Sequence, residues 1–232
     1  MGIKGFQGTS LLDFPGRIAS LVFTGGCNLT CPFCHNPSLV LTPDDHPDYP
    51  PQVLLRELEE RRNFIDGVVI SGGEPTLDPE LPAFVRQVKA LGLLVKLDTN
   101  GLAPEMLQGL LAENLLDYVA LDVKTAPGRY GELHRSPIDL DLLPQSVELL
   151  RNGSCDYEFR TTCVPGFVEG SDMHAMGDLV RGGKRWILQR FVPEHSLALA
   201  LRKLSAHAPS RMHEFATIAG HYVPQVHLRG ME

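Results

Sequence analysis

The sequence predicts an α/β fold, a parallel sheet covered by helices, on three observations. Short apolar runs rich in β-branched and aromatic residues alternate with segments of helical spacing, no two of these runs are joined by a hairpin signal, and the residues of unusual chemistry fall just after the strand ends. Folds of this class bind ligands beyond the carboxyl ends of their strands, whether the sheet is open or closed into a barrel. The coincidence therefore points to one shared site, while periodicity alone leaves open sheet and barrel both standing.

Arg17 to Thr24 (RIASLVFT) reads as a buried strand delivering Gly25-Gly26 and a cysteine loop. Residues 37–51 are too rich in proline and aspartate to be regular, and Gln52 to Asn63 then has apolar residues at helical spacing among charges. A strand at Gly67 to Ile70, a helix from about Pro79 to Ala90 and a strand at Leu93 to Leu97 follow. Ala103 to Glu113 is predicted helical, Asp117 to Val123 a strand, Leu140 to Arg151 helical, and Tyr157 to Val164 a strand. Ser171 to Val180 and Trp186 to Phe191 supply one more helix and strand, so that six strands are expected. The tail after residue 205 is weakly helical in pattern and fits either completing the core or touching a partner. One domain spanning 1–232 is expected, with its core at about 15–195 and a C-terminal extension over 196–232.

A chain of 232 residues with 43% apolar content is long enough for one full core. Its 21 basic and 28 acidic residues leave a net charge of −7, which disfavours binding to the phosphates of nucleic acid. No stretch approaches the ~20 apolar residues that span a bilayer, and the N-terminus MGIKGFQGTSLLDF lacks an export signal. A cytoplasmic location with no membrane contact is expected. Five cysteines, an odd number with three of them close together, argue against a disulfide framework and for metal or redox chemistry.

In GGCNLTCPFCHN the spacing Cys-x3-Cys-x2-Cys draws three thiolates, Cys27, Cys31 and Cys34, from one short loop with no obvious fourth protein ligand nearby. A cluster held by three cysteines keeps one iron open to a chelating substrate. Three rival readings stand beside this one. Cys31-Pro32-Phe33-Cys34-His35 matches covalent haem attachment, a chemistry of exported proteins. The same two cysteines match a dithiol redox motif, which makes no use of Cys27. Structural zinc wants a fourth ligand, from His35 or a distant residue. Cys155 and Cys163 read as small buried hydrophobes, and His46, His134, His174, His207, His213, His221 and His227 are scattered without ligand spacing.

With Phe33 just before its last cysteine, the loop resembles the signature of the radical S-adenosylmethionine (radical SAM) superfamily. The resemblance implies a partial (β/α)6 barrel, one 4Fe-4S cluster on Cys27, Cys31 and Cys34, and S-adenosyl-L-methionine chelated by the open iron. Ser71-Gly72-Gly73-Glu74-Pro75 resembles the family's Gly-Gly-Glu segment, whose backbone and carboxylate hold the methionine ammonium. Leu97-Asp98-Thr99-Asn100-Gly101 and Leu121-Asp122-Val123-Lys124 resemble segments of the glycyl-radical-enzyme activases. There the Asp-Thr pair and the second Asp help hold a monovalent cation and the methionine end, and the Lys supports the cofactor. Arg160, in a strand resembling the activases' fifth, would face the pocket, and His195 would take the place of a cofactor-contacting histidine after the sixth.

The opening, GFQGTSLLDFPGRIASLVFTGGCNLTCPFCHNP, is similar to the short activases of anaerobic ribonucleoside-triphosphate reductase and, less closely, to those of pyruvate formate-lyase. This implies a glycyl radical enzyme, the anaerobic ribonucleotide reductase, as partner, and a flavodoxin or ferredoxin as electron donor. No second Cys-x-x-Cys pair follows Cys34, so one cluster is implied. A radical enzyme acting on a small molecule or another peptide, and an iron-sulfur or zinc module without turnover, are the competing functions.

Overall fold

The computed structural model describes residues 1–134 and 137–231. Its strands form one eight-stranded sheet in strict chain order. β1 (Ile3–Ser10) pairs antiparallel with β2 (Ala19–Thr24). From β2 onward every pairing is parallel, through β3 (Gly67–Gly72), β4 (Leu94–Thr99), β5 (Tyr118–Asp122), β6 (Asp156–Cys163), β7 (Arg185–Arg190) and β8 (Gln225–Arg229). The six predicted strands are β2 to β7.

Two strands were not expected, and both lie at the sheet's edges. β1 has two glycines and only its end residues buried, and β8 alternates exposed and half-buried positions, so neither carries the apolar run of an interior strand. β1 and β2 form a hairpin across residues 11–18, which corrects the expectation that no hairpin is present. The tail also continues the repeat: α7 (Pro209–Ala219) buries Met212, Phe215 and Ala219, and β8 pairs with β7. Residues 37–51, read as irregular, include a short helix, α1 (Pro37–Leu41). Pro37 opens it at a position where no amide hydrogen is needed, and Leu39 is buried.

The remaining helices are α2 (Pro51–Arg61), α3 (Leu81–Ala90), α4 (Pro104–Ala112), α5 (Leu142–Asn152) and α6 (Gly170–Val180). Each faces the sheet with an apolar stripe, such as Leu143, Val147 and Leu150 on α5. They meet the outward residues of the strands, including Val22, Val68, Ile70, Val95, Leu97, Val119, Leu121 and Phe159, all fully buried. Each such side chain contributes about 1.5–3 kcal/mol relative to exposure. Stability therefore resides between sheet and helices, and the other face of the sheet is free to be polar.

That inner face is strongly curved. A flat sheet would hold β2 and β8 about 29 Å apart, six spacings of about 4.8 Å, yet Leu21 and Phe23 of β2 line one cavity with Arg229 of β8. β1 and β8 are not paired with each other, so the barrel is partial. Side chains alternate across each strand, which sends Lys96 and Asp98 of β4, Asp122 of β5 and Glu158, Arg160 and Thr162 of β6 inward. Register sets Asp122 directly beside Arg160. Phe14, Ala19, Leu21, Val69 and Tyr118 form a small apolar cluster of their own.

Candidate functional site

The cysteine loop follows β2 and is held from several sides. Gly26 N–H donates to Leu39 O (2.8 Å), Thr30 N–H to Leu133 O (3.0 Å) and Ala198 N–H to Pro32 O (2.8 Å). Within the loop, Cys34 N–H donates to Cys31 O (2.9 Å) and Leu29 N–H to Cys27 Sγ (3.4 Å). The loop after β3 is stitched to it by Glu74 N–H on Gly26 O (2.8 Å). Phe33 is buried edge-on against Phe167, ring centroids 5.3 Å apart.

Glu74 works inside the protein. Its Oε1 accepts from Thr76 N–H (3.1 Å), Thr76 Oγ1 (2.5 Å) and Thr99 Oγ1 (2.8 Å), and its Oε2 accepts from Asn100 N–H (2.7 Å). At 2% exposure burial pushes its pKa up, against the pull of these hydrogen bonds. The Glu74 carboxylate ties the β3 loop to the β4 loop. Asn100 carries the tie onward: its Nδ2 donates to Asn28 Oδ1 (2.7 Å) and lies 3.9 Å from Cys27 Sγ.

On the inner wall the charges alternate from Lys96 through Asp98, Arg160 and Asp122 to Lys124. Lys96 Nζ is paired with Asp98, Arg160 contacts Asp98 (3.1 Å) and Asp122 (2.6 Å), and Lys124 Nζ sits 2.8 Å from Asp122. Burial alone would push both aspartates up, but Arg160, with Lys96 at Asp98 and Lys124 at Asp122, holds them below the usual carboxylate range. Lys124 is held up against burial by Asp122, and Cys31 adds to this. Among the thiols, burial pushes Cys27 up to about 12 and Cys31 up to about 11, the latter opposed by Lys124.

The aspartates set an acid limit on stability. An unperturbed aspartate titrates at 3.8, and both ionise more readily in the folded chain. Stability from a depressed carboxylate is present above the unfolded value and is lost as pH falls through the folded one. The urea midpoint should therefore fall as pH is lowered from about 5 to below the unfolded aspartate value. Asp98→Asn, with no proton to take up there, should give a shallower fall.

A cavity of about 460 Å³ gathers these groups, a size within the range that holds small molecules. Cys27, Cys31, Phe33, Cys34, Gly72, Gly73, Glu74, Asp98, Thr99, Asn100, Asp122, Lys124 and Arg160 all line it. Asp98 and Asp122 keep 12% and 17% of their side chains exposed, so they face it. His195 does not join them. It is exposed on the loop after β7 and is not among the lining residues, whereas His35, next to Cys34, is. Burial lowers the His35 pKa, and His195 lowers it further.

Thr162, Gln189 and Arg229 also line the cavity and were not singled out from the sequence. Lys96 was passed over too, although a lysine inside an apolar strand, two residues before an aspartate on the same face, is a usable signal. Cys163 is fully buried, as expected, and the half-buried Cys155 lies in a separate groove of about 970 Å³ that holds none of these residues. Among the described residues no three His, Cys, Asp or Glu are gathered closely enough for a single metal ion. Three soft thiols on one loop around a cavity, with Lys124 beside Cys31, are a donor set suited to an iron-sulfur cluster. No helix among the described residues is long and apolar enough to cross a membrane.

Residues 21–177 match the model of the radical SAM superfamily. The chain is 30% identical over 234 residues to a protein of Methanocaldococcus jannaschii provisionally named a glycyl-radical enzyme activating enzyme, covering 98% of this chain and 95% of that one. It is 32% identical over 127 residues to the pyruvate formate-lyase-activating enzyme of Clostridium pasteurianum, about half of each chain (53% and 52%). Among solved structures it is similar to Streptococcus suis SuiB bound to the precursor peptide SuiA, with TM-score 0.69 and 15% identity. That likeness covers 90% of this chain and 48% of SuiB, and it bears on the fold.

Proposed function

This chain belongs to the radical SAM superfamily, and from that premise we propose that Cys27, Cys31 and Cys34 hold its 4Fe-4S cluster and that it installs a glycyl radical on an anaerobic ribonucleoside-triphosphate reductase. Enzymes of the family use the cluster with S-adenosylmethionine. Held by Cys27, Cys31 and Cys34, the cluster would deliver the electron for reductive cleavage of S-adenosylmethionine to methionine and a 5′-deoxyadenosyl radical, and this would provide the hydrogen-abstracting power needed at the partner's backbone glycine. A flavodoxin or ferredoxin would supply the electron.

The chain's own residues bind, orient and shield. Lys124 places a positive charge beside the Cys31 thiol and favours its thiolate. Glu74 holds Thr99 and Asn100 in place, and Asn100 steadies the loop at Asn28 and Cys27. The backbone at Gly72 and Gly73 is left to approach the methionine ammonium closely. Asp98, Arg160, Asp122 and Lys124 present fixed charge to the zwitterionic methionine end, and Phe33 closes the apolar side.

The observation that carries this reading is the meeting of the cysteine loop with the ends of β3 to β6 in one cavity, within a chain similar along nearly its whole length to a protein provisionally named a glycyl-radical enzyme activating enzyme. The test is anaerobic reconstitution, reduction and assay of 5′-deoxyadenosine, then mixing with the purified reductase. The expected outcome is nucleoside formation followed by a glycyl-radical EPR doublet on the reductase. Nucleoside without the doublet would remove the reductase as partner, and a full, reducible cluster that forms no nucleoside would remove the activity.

A further inference from the structure

The resemblance implies a monovalent cation beside Asp98, Thr99 and Asp122, but the groups that would receive it are already engaged. Asp98 Oδ1 takes Lys96 Nζ, and Oδ2 takes Arg160 Nη1 and Nη2 (3.1 and 3.2 Å) with Ser71 Oγ at 3.4 Å. Asp122 Oδ1 takes Arg160 Nε (2.6 Å), and Oδ2 takes Lys124 Nζ (2.8 Å) and Arg160 Nη2 (3.1 Å). Thr99 Oγ1 donates to Glu74 and accepts from Gly101 N–H (3.1 Å). Every oxygen of both carboxylates thus has a fixed cationic donor. Three side-chain cations already face the two aspartates, so a metal ion bound there would have to displace an ammonium or a guanidinium.

We propose that Lys96 replaces the monovalent metal ion in this chain, its tethered ammonium balancing Asp98 and ordering the Asp98–Arg160–Asp122–Lys124 chain, so that the site neither binds nor needs sodium or potassium. Lys96 is 1% exposed, on β4, two residues before Asp98 and on the same inner face. A covalently tethered ammonium gives up far less translational freedom at the site than a captured ion and does not depend on salt composition. Lys96 is a positioning residue, acting on the cofactor pocket through Asp98. The inference rests on the reading of the cavity as the S-adenosylmethionine site.

Thallium NMR of the reconstituted holoenzyme, in tetramethylammonium buffer, tests the wild type directly. No saturable thallium signal is expected, and exchanging potassium for tetramethylammonium should change the cleavage rate by less than about twofold, since an ion that does not bind shifts nothing. Lys96→Met, which keeps length and loses charge, should lose about tenfold or more in cleavage without potassium, recover with potassium, and gain a saturable thallium signal. Thallium binding by the wild type that potassium displaces overturns the proposal. So does a loss in Lys96→Met that potassium does not restore, or wild-type cleavage by that variant without any cation. Should Lys96→Met fail to fold, the wild-type titration decides alone. If no salt supports nucleoside formation, the reading of the site fails while the thallium titration still answers the ion question.

Discussion

Alanine at Cys27, Cys31 or Cys34 is expected to reduce S-adenosylmethionine cleavage to background while leaving the apo fold in place. The two outcomes separate because each thiol is only a small part of the core: Cys31 is buried in it, and the half-buried Cys27 and Cys34 pack against it. The apolar layer lies between the sheet and the helices, and removing one small side chain from a loop should cost no more than about 1–2 kcal/mol. The chemistry has no such reserve. One loop supplies all three thiols, and with two left the cluster lacks a protein ligand. Burial keeps Cys27 and Cys31 protonated in the apo chain near neutral pH, so loading must release protons, and Lys124 favours the thiolate at Cys31. Iron and sulfide near about four each per chain in the wild type, and well below that in each variant, should track the activity. Cys155→Ser and Cys163→Ala should keep both, because neither residue lines the cavity. Cleavage retained by any one of the three alanine variants would remove the cluster assignment.

What the sequence made legible follows from what each residue type must do. Interior strands must be apolar on the helix side, so β2 to β7 show as runs, and their ends show as departures from apolar character at Cys27, Gly72, Asp98 and Asp122. β1 and β8 are edges with one side in solvent, and half-solvated strands carry no such run. The site's internal wiring was harder to read. That the Glu74 carboxylate holds Thr99 and Asn100 depends on which of several nearby polar groups the side chain reaches, and spacing along the chain does not decide that. For His195 the chain is silent for a related reason: a loop position after β7 says nothing of which way the ring turns, and here the residue is exposed and not among those that line the cavity.

Gly73→Ala should damage the site severely, though short of the complete loss expected on removing a thiol, and by a different route. A Cβ at this position would stand 1.8 Å from Gly26 O and 2.7 Å from Gly26 C, both backbone atoms that no rotamer change can move aside. Glu74 N–H bonds to that same oxygen and Gly73 N–H to Thr24 O (2.9 Å), so the added methyl must push the two loops apart at the residue before Cys27. Forcing atoms into a filled contact costs about 1–3 kcal/mol of stability, and a displacement of about 1 Å at a reacting centre can lower a rate about a hundredfold. Incomplete cluster loading, weaker S-adenosylmethionine binding and a rate loss of that order should appear together, read by iron content, isothermal titration and 5′-deoxyadenosine assay. Gly128→Ala is the matched control, because a Cβ there meets nothing within 4 Å. If Gly73→Ala loads a full cluster and cleaves at the wild-type rate, close contact between the β3 loop and the cysteine loop is not what positions the site. If it fails while Gly128→Ala does not, the glycine is there because the backbone of one loop must touch the backbone of the other.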